Sequence, residues 1–473
     1  MGRRLSDVSA PARLAGPDEG IGRDELALAA RNHGLPLEAL RYDLTPPGLH
    51  YVLTHYDIPY VADEASWELT VGGGVRRPLR LTPADLRAHP AVTLRVTLEC
   101  AGNGRALLTP RPVSQPWLVE AVGTAEWTGV PLRLLLADAG VEDGAVDVVF
   151  TGADHGVERG VEQDYRRALP VDVAVGDRTD VLVAHTMNGA PLPPQHGRPL
   201  RLVVPGWYGM AHVKWLRDIT VTDRPFTGFQ QTVAYRLRQH PEEEGEPVTR
   251  MAPRALLIPP GFPDFMSRTR VVRPGALELE GRAWSGRAPV SRVEISTDGG
   301  RGWGEAKVEP AGAHRWAWRR WRFAWTAVPG DHVLMARAAD AEGGPSPWAS
   351  PGTGAGSPTT SSNRYPSCAW SPGAERNRRS ASVAGPLREG VRDEGVGVTV
   401  PQAVLGLQPV HEFHVLGQRR GADEVLPLRD RSAVLLLDGG EVAGRALHGG
   451  GHVDDPLCPL LWVGRLVPVS SLI

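Results

Sequence analysis

Apolar and polar residues alternate with a period of two in short stretches along the first half of the chain. The plainest is Val92-Thr93-Leu94-Arg95-Val96-Thr97-Leu98, the pattern of a strand with one buried face. Further short strands are expected at 67–71, 79–81, 146–150, 180–184, 200–204 and 215–222, with a Gly72-Gly73-Gly74 turn after the first. Helices are few. One is predicted at 23–31, one behind Thr82, an N-cap followed by Pro83, and one at 131–139. Short helices among many strands predict a mixed α+β domain ending near residue 240, before the acidic linker Glu242-Glu243-Glu244-Gly245-Glu246.

Beyond residue 270 the alternation returns at 277–284, 290–296, 316–325 and 332–338, with Thr297-Asp298-Gly299-Gly300 as a turn. Strands spaced about ten residues apart with turn signals between them predict a β-sandwich. After Trp348 the periodicity stops. Residues 349–400 are rich in Ser, Pro, Gly and Arg, and such a composition buries too little apolar surface to offset its ordering entropy. A strand-like run at 433–437 stands alone. The break falls where a last sandwich strand is due. It points to a change of reading frame after Trp348, with a natural extension as the rival explanation, and it predicts one unpaired sandwich edge.

Composition narrows the function. The 473 residues suffice for two or three domains, and a net charge of -2 gives no electrostatic case for nucleic acid or an anionic membrane. No run of about 18 apolar residues is present, so no membrane-spanning helix is expected. Arg3-Arg4 is not followed by an apolar run, so an export signal is unsupported and the expected location is the cytoplasm. Cys100, Cys368 and Cys458 are too few and too scattered for a disulfide framework or a zinc site. Of 52 basic residues only Lys214 and Lys307 are lysines, which marks a retained lysine as a candidate for function.

The candidate chemistry starts at Glu99-Cys100-Ala101-Gly102-Asn103-Gly104-Arg105-Ala106, directly after the clearest strand. A strand end is a rigid platform, and glycines let backbone approach a ligand closely. A lone cysteine there is buried filler, a nucleophile or a single metal–thiolate bond, and the nearby Arg105 cation favours the thiolate.

Residues 96–105 resemble the cofactor-cysteine loop of the sulfite oxidase family of molybdopterin enzymes. So do Pro194-Gln195-His196-Gly197-Arg198-Pro199 with Leu200–Gly206, and His212-Val213-Lys214-Trp215-Leu216, in family order. Ala283-Trp284-Ser285-Gly286, Ser296-Thr297-Asp298-Gly299-Gly300 and Trp303 are similar to the immunoglobulin-like dimerisation domain of that family. The resemblance covers residues 42–348. It implies an N-terminal extension (1–41), a mixed α+β molybdopterin-binding catalytic domain (42–245), an incomplete immunoglobulin-like domain (255–348) and an irregular tail (349–473). By resemblance Cys100 is the molybdenum ligand, since soft sulfur donors suit such a metal. Tyr51, His55, Asp154, His196, Arg201, His212 and Lys214 hold the molybdenum–molybdopterin cofactor, and Arg105 joins Cys100 in catalysis. His55 is preferred over the superficially similar Arg31-Asn32-His33-Gly34 because residues 44–59 carry the better register.

Two departures bear on substrate. Leu53 replaces an arginine of the substrate anion pocket, and Phe226 takes the position of an active-site tyrosine, with Arg236 and Arg238 as candidate replacements for the lost cation. The resemblance implies two-electron oxygen-atom transfer on sulfite or a related sulfur compound or oxyanion. It also implies a homodimer and, with no His-Pro-Gly-Gly haem segment in the sequence, a separate electron acceptor. A reductase acting on a sulfoxide or nitrate, and a non-catalytic relic, are the competing readings.

Overall fold

The computed structural model describes residues 14–108, 111–158, 160–237, 245–310 and 312–342, with the backbone of 411–415. Two sheets build the first half. One has the order Leu79–Leu81, Leu69–Gly73, Leu216–Thr222, Asp147–Glu158, Val161–Pro170, with Leu69–Gly73 and Leu216–Thr222 parallel and the other pairs antiparallel. The other runs Val92–Glu99, Val122–Pro131, Leu182–Met187, Ala190–Pro191, with Arg201–Val203 also against Leu182–Met187. Apolar positions of these strands and of the helix Leu132–Ala139 meet in a core that includes Leu69, Val71, Leu135, Phe150, Leu202 and Ile219. The helix Arg23–Arg31 spans the expected residues, and Thr82 Oγ1 accepts the Asp85 amide at 3.2 Å to start the helix Pro83–Ala88.

The second half packs Arg254–Leu257, Gly275–Trp284, Arg319–Ala327 and Lys307–Val308 in one sheet. Phe262–Pro263, Arg270–Val272, His411–Val415, Gly330–Asp340, Val290–Ser296 and Gly304–Glu305 form the other. Trp321, Leu279, Val293 and Leu334 lie between them. The edge expected to be unpaired beside residues 330–340 is occupied. His411–Val415 runs antiparallel to Gly330–Asp340 and parallel to Arg270–Val272. Glu412-Phe413-His414-Val415 alternates polar and apolar over only four residues, and a strand edge recruits main chain, so a segment this short can complete it. The rest of the tail, the run at 433–437 and most of the acidic linker lie outside the described residues. No helix among the described residues is long and apolar enough to cross a membrane.

The strand Val92–Glu99 departs from simple alternation in its last four residues, all of which are buried. Val96 and Leu98 enter the core, while Thr97 and Glu99 face the sandwich instead of water. Trp318 donates its amide to Thr97 Oγ1 at 2.8 Å, and the Thr97 amide donates to Trp316 O at 2.9 Å. Arg282 seals the same seam, donating to Leu40 O at 2.7 Å and to Asp43 Oδ1 at 2.8 Å. The strand that carries Cys100 is therefore gripped from both sides.

Candidate active site

Cys100 follows the last residue of that strand, and its sulfur turns into a cavity of about 600 Å³ of atom-free space, its open mouth included. Tyr51, His55, Asp154, His196, Arg201, His212 and Lys214 line the same cavity, drawn from four stretches of the chain, 51–55, 154, 196–201 and 212–214. The loop geometry follows from its glycines. A side chain on Gly102 would meet the Arg105 guanidinium at 2.5 Å, so Arg105 folds over Gly102 only because that residue has none. Arg105 itself is not among the lining residues; its Nη1 donates to Ser114 Oγ at 3.0 Å.

Each basic group is held by backbone. Lys214 Nζ donates to Leu53 O at 2.9 Å and to Gln195 O at 3.1 Å, and lies 4.3 Å from the Trp215 ring centroid. Arg201 Nη1 donates to His196 O at 3.2 Å, and its guanidinium stands 4.9 Å over the Trp127 ring. His212 Nδ1 accepts the Val204 amide at 3.0 Å, so the imidazole ties the turn at 204–212 together as well as facing the cavity.

Burial dominates the electrostatics. It holds the imidazole pKa values of His50, His55, His196 and His212 down at about 4, 3, 2 and 3, with neighbouring cations acting in the same direction. Burial pushes Lys214 down and Asp154 up, each opposed by the other's charge. It also raises the Cys100 thiol, against the Arg105 charge and the Gly102 amide, which approaches Sγ at 3.4 Å. Bound to a soft cation, that thiol would give up its proton.

Two buried polar atoms of residues in the cavity wall have no partner within the protein: Asp154 Oδ1 and Arg201 Nε. Among the lining residues Lys214 and Arg201 are set against the single carboxylate of Asp154. Such a wall is built for a polar, anionic ligand. Among the described residues no three His, Cys, Asp or Glu side chains converge as a metal cage. A metal held at Cys100 must therefore bring its remaining ligands on a carrier, and the wall fits an anionic dithiolene-bearing pterin.

Other lining residues carry no motif signal. His50, whose ring centroid is 5.2 Å from that of His196, sits beside the named Tyr51 but was not singled out by pattern. Tyr165 packs its ring 4.7 Å from His55 and donates its hydroxyl to Met210 O at 2.7 Å. Tyr235 places its hydroxyl 2.6 Å from His55 Nε2. This corrects the expectation that the pocket lacks a phenol hydroxyl. Phe226 is not a lining residue and lies under the Arg166 guanidinium, whereas Tyr235, nine residues on, supplies a phenol. Behind Tyr235 stands buried Arg167, 5.7 Å from its ring centroid, a nearer cation than Arg236, which bonds Gly245 O; Arg238 lies outside the described residues. Leu53 does line the cavity, and His33, the rejected alternative to His55, does not.

The oxidoreductase molybdopterin-binding domain family matches residues 55–230, and the Mo-co oxidoreductase dimerisation domain family matches 262–348. Sulfite oxidase of Gallus gallus is 34% identical over 325 residues, covering 63% of this chain and 66% of that protein. Sulfite oxidase of Arabidopsis thaliana is 32% identical over 299 residues, covering 58% and 75%. The NADPH nitrate reductase of Fusarium oxysporum is 30% identical over 321 residues, covering 62% of this chain and only 35% of that protein. Among solved structures, the sulfane dehydrogenase SoxCD of Paracoccus pantotrophus superposes with a TM-score of 0.57 at 25% identity, over 72% of this chain and 82% of that one.

Proposed function

Because the chain belongs to the sulfite oxidase family of molybdopterin-dependent oxidoreductases, we propose that it oxidises sulfite or a related sulfur compound by two-electron oxygen-atom transfer. The observation that carries this reading is a single cavity joining the Cys100 sulfur to Arg201, Lys214, His55 and His196, with two buried polar atoms left for a ligand. When bound, the molybdenum cofactor supplies the redox chemistry. Net, sulfite and water yield sulfate, two protons and two electrons, the electrons leaving to a separate acceptor.

The chain's own residues do the rest. Cys100 offers its thiolate to the metal. Arg201 and Lys214 compensate the cofactor's negative charge, the neutral imidazoles of His55 and His196 offer hydrogen bonds without adding charge, and those of His50 and His212 brace the wall through backbone partners. The Tyr235 hydroxyl and His55 Nε2 share one hydrogen bond beside Cys100, a place to hold a proton near the reacting atoms. The buried Arg167 and the loop cation Arg105 favour an anionic substrate over a neutral one. Residues 42–245 are assigned to catalysis and 255–348 to homodimer formation.

The test is metal content and turnover together. Wild-type protein from cofactor-competent cells is expected to carry molybdenum and to oxidise sulfite with an artificial acceptor. Cys100→Ser is expected to abolish turnover, and wild-type protein without metal would overturn the reading. A second reading, reduction of nitrate or a sulfoxide on the same scaffold, is favoured by the nitrate reductase similarity and by Leu53 in the cavity wall. Turnover with reduced viologen and nitrate or sulfoxide, but not with sulfite, would establish it instead.

A further inference from the structure

The carboxylate of Glu99, the residue immediately before Cys100, is 1% exposed and is satisfied almost wholly from the sandwich domain. Arg254 Nη1 donates to its Oε1 at 2.5 Å, and Trp284 Nε1 donates to its Oε2 at 2.8 Å. From within the loop, Asn103 Nδ2 donates to Oε1 at 3.1 Å, while Asn103 Oδ1 accepts the Ala121 amide at 3.1 Å. Arg254 Nη1 also reaches Asn103 O at 3.3 Å. Arg254 and Trp284 occupy paired positions on neighbouring strands of one sheet, so the two donors are presented as a unit. The loop that carries Cys100 is thereby tied to the other domain at both of its ends.

We propose that Arg254 and Trp284 are positioning residues that hold the Cys100 sulfur in the cavity by gripping Glu99. The sandwich then does more than pair subunits: it presents the two donors that place the thiolate. A buried carboxylate can be held only by partners that stay in register, and losing one donor leaves the others to carry an uncompensated charge. Loss of either donor would be felt at Cys100, although no residue of the sandwich lines the cavity. The proposal rests on Cys100 being the metal ligand, and its test keeps the two claims apart.

In cofactor-free full-length protein, alkylation of Cys100 by iodoacetamide is followed by mass spectrometry of its own peptide, because Cys368 and Cys458 can also react. Glu99→Gln and Trp284→Phe are expected to speed alkylation about tenfold, the opening that loss of one charged hydrogen bond allows. Val293→Ala, a core change in the same domain but in a separate apolar cluster from Trp284, is the control. It is expected to lower Tm while leaving the Cys100 rate at the wild-type value. Unchanged rates in Trp284→Phe, or equal acceleration by Val293→Ala at matched loss of Tm, would overturn the proposal. Trp284→Phe decides alone if Glu99→Gln does not accumulate as folded protein. Independently, cofactor-loaded Cys100→Ser is expected to lose the thiolate-to-metal absorption band; its persistence would refute Cys100 as ligand while the alkylation rates still decide the grip.

Discussion

Replacing Lys214 by methionine separates a cofactor-holding role from a structural one, because the first predicts lost cofactor at nearly constant stability and the second lost stability at constant cofactor. The side chain keeps its length but loses the ammonium, so the carbonyls of Leu53 and Gln195 lose donors at 2.9 and 3.1 Å. Leaving two half-buried carbonyls unpaired costs at most about 1–3 kcal/mol each. Against this, burial already pushes the ammonium well below its ordinary pKa, so removing it relieves a desolvation cost of several kcal/mol. The two nearly cancel in cofactor-free protein, and its Tm is expected to move by only a few degrees. The loaded protein behaves differently. Loss of one charge-assisted bond to an anionic cofactor costs about 1.5–3 kcal/mol, roughly ten- to a hundredfold in retention. The pH dependence gives a second check. Between the depressed folded pKa and the unfolded value near 10 the unfolded chain holds the extra proton, so wild-type stability rises with pH through that window and the variant loses the slope. The assays are Tm of the cofactor-free protein across pH and molybdenum content after gel filtration. A large fall in cofactor-free Tm with wild-type molybdenum content would refute the argument.

Tyr235→Phe leaves His55 Nε2 buried without its 2.6 Å partner; a Tm loss matching about 1–3 kcal/mol and a fall in kcat/KM are expected, and turnover equal to wild type would remove Tyr235 from the site. Four desolvated imidazoles, those of His50, His196 and His212 buried and that of His55 half-buried, have folded pKa values of about 2 to 4 and take up protons only on unfolding, so the urea midpoint of cofactor-free protein should drop steeply as pH falls below about 6.5; a flat midpoint from pH 7 to 5 contradicts it. Gly281→Ala would put a methyl 2.0 Å from Leu256 O and 2.2 Å from Trp321 Cζ2, and backbone cannot yield as a flexible side chain could. A loss of about 1–3 kcal/mol is expected by thermal unfolding.

How much of this was open to sequence reasoning depends on the range of the interaction. The helix at 23–31, the strand at 290–296 and the capped helix behind Thr82 are local patterns, and they stand where alternation and capping put them. The ordered motifs around Cys100, His196 and Lys214 likewise converge on one cavity because each is a short segment anchored to a strand end. What local pattern could not supply is what a side chain faces. Thr97 and Glu99 alternate as solvent-facing positions would, yet a second domain covers them. Tyr235 lies in a segment without periodicity and becomes a pocket residue only because the chain turns it back onto His55, 180 positions earlier. The strand at 411–415 escaped because its alternation spans only Glu412-Phe413-His414-Val415, and edge pairing is a main-chain interaction that so short a pattern does not report. Lysine scarcity, a purely compositional signal, pointed at Lys214. Its force comes from chemistry: an ammonium desolvated in a cavity wall is retained only where an anion repays that cost, and in this cavity the carboxylate of Asp154 cannot offset both Lys214 and Arg201.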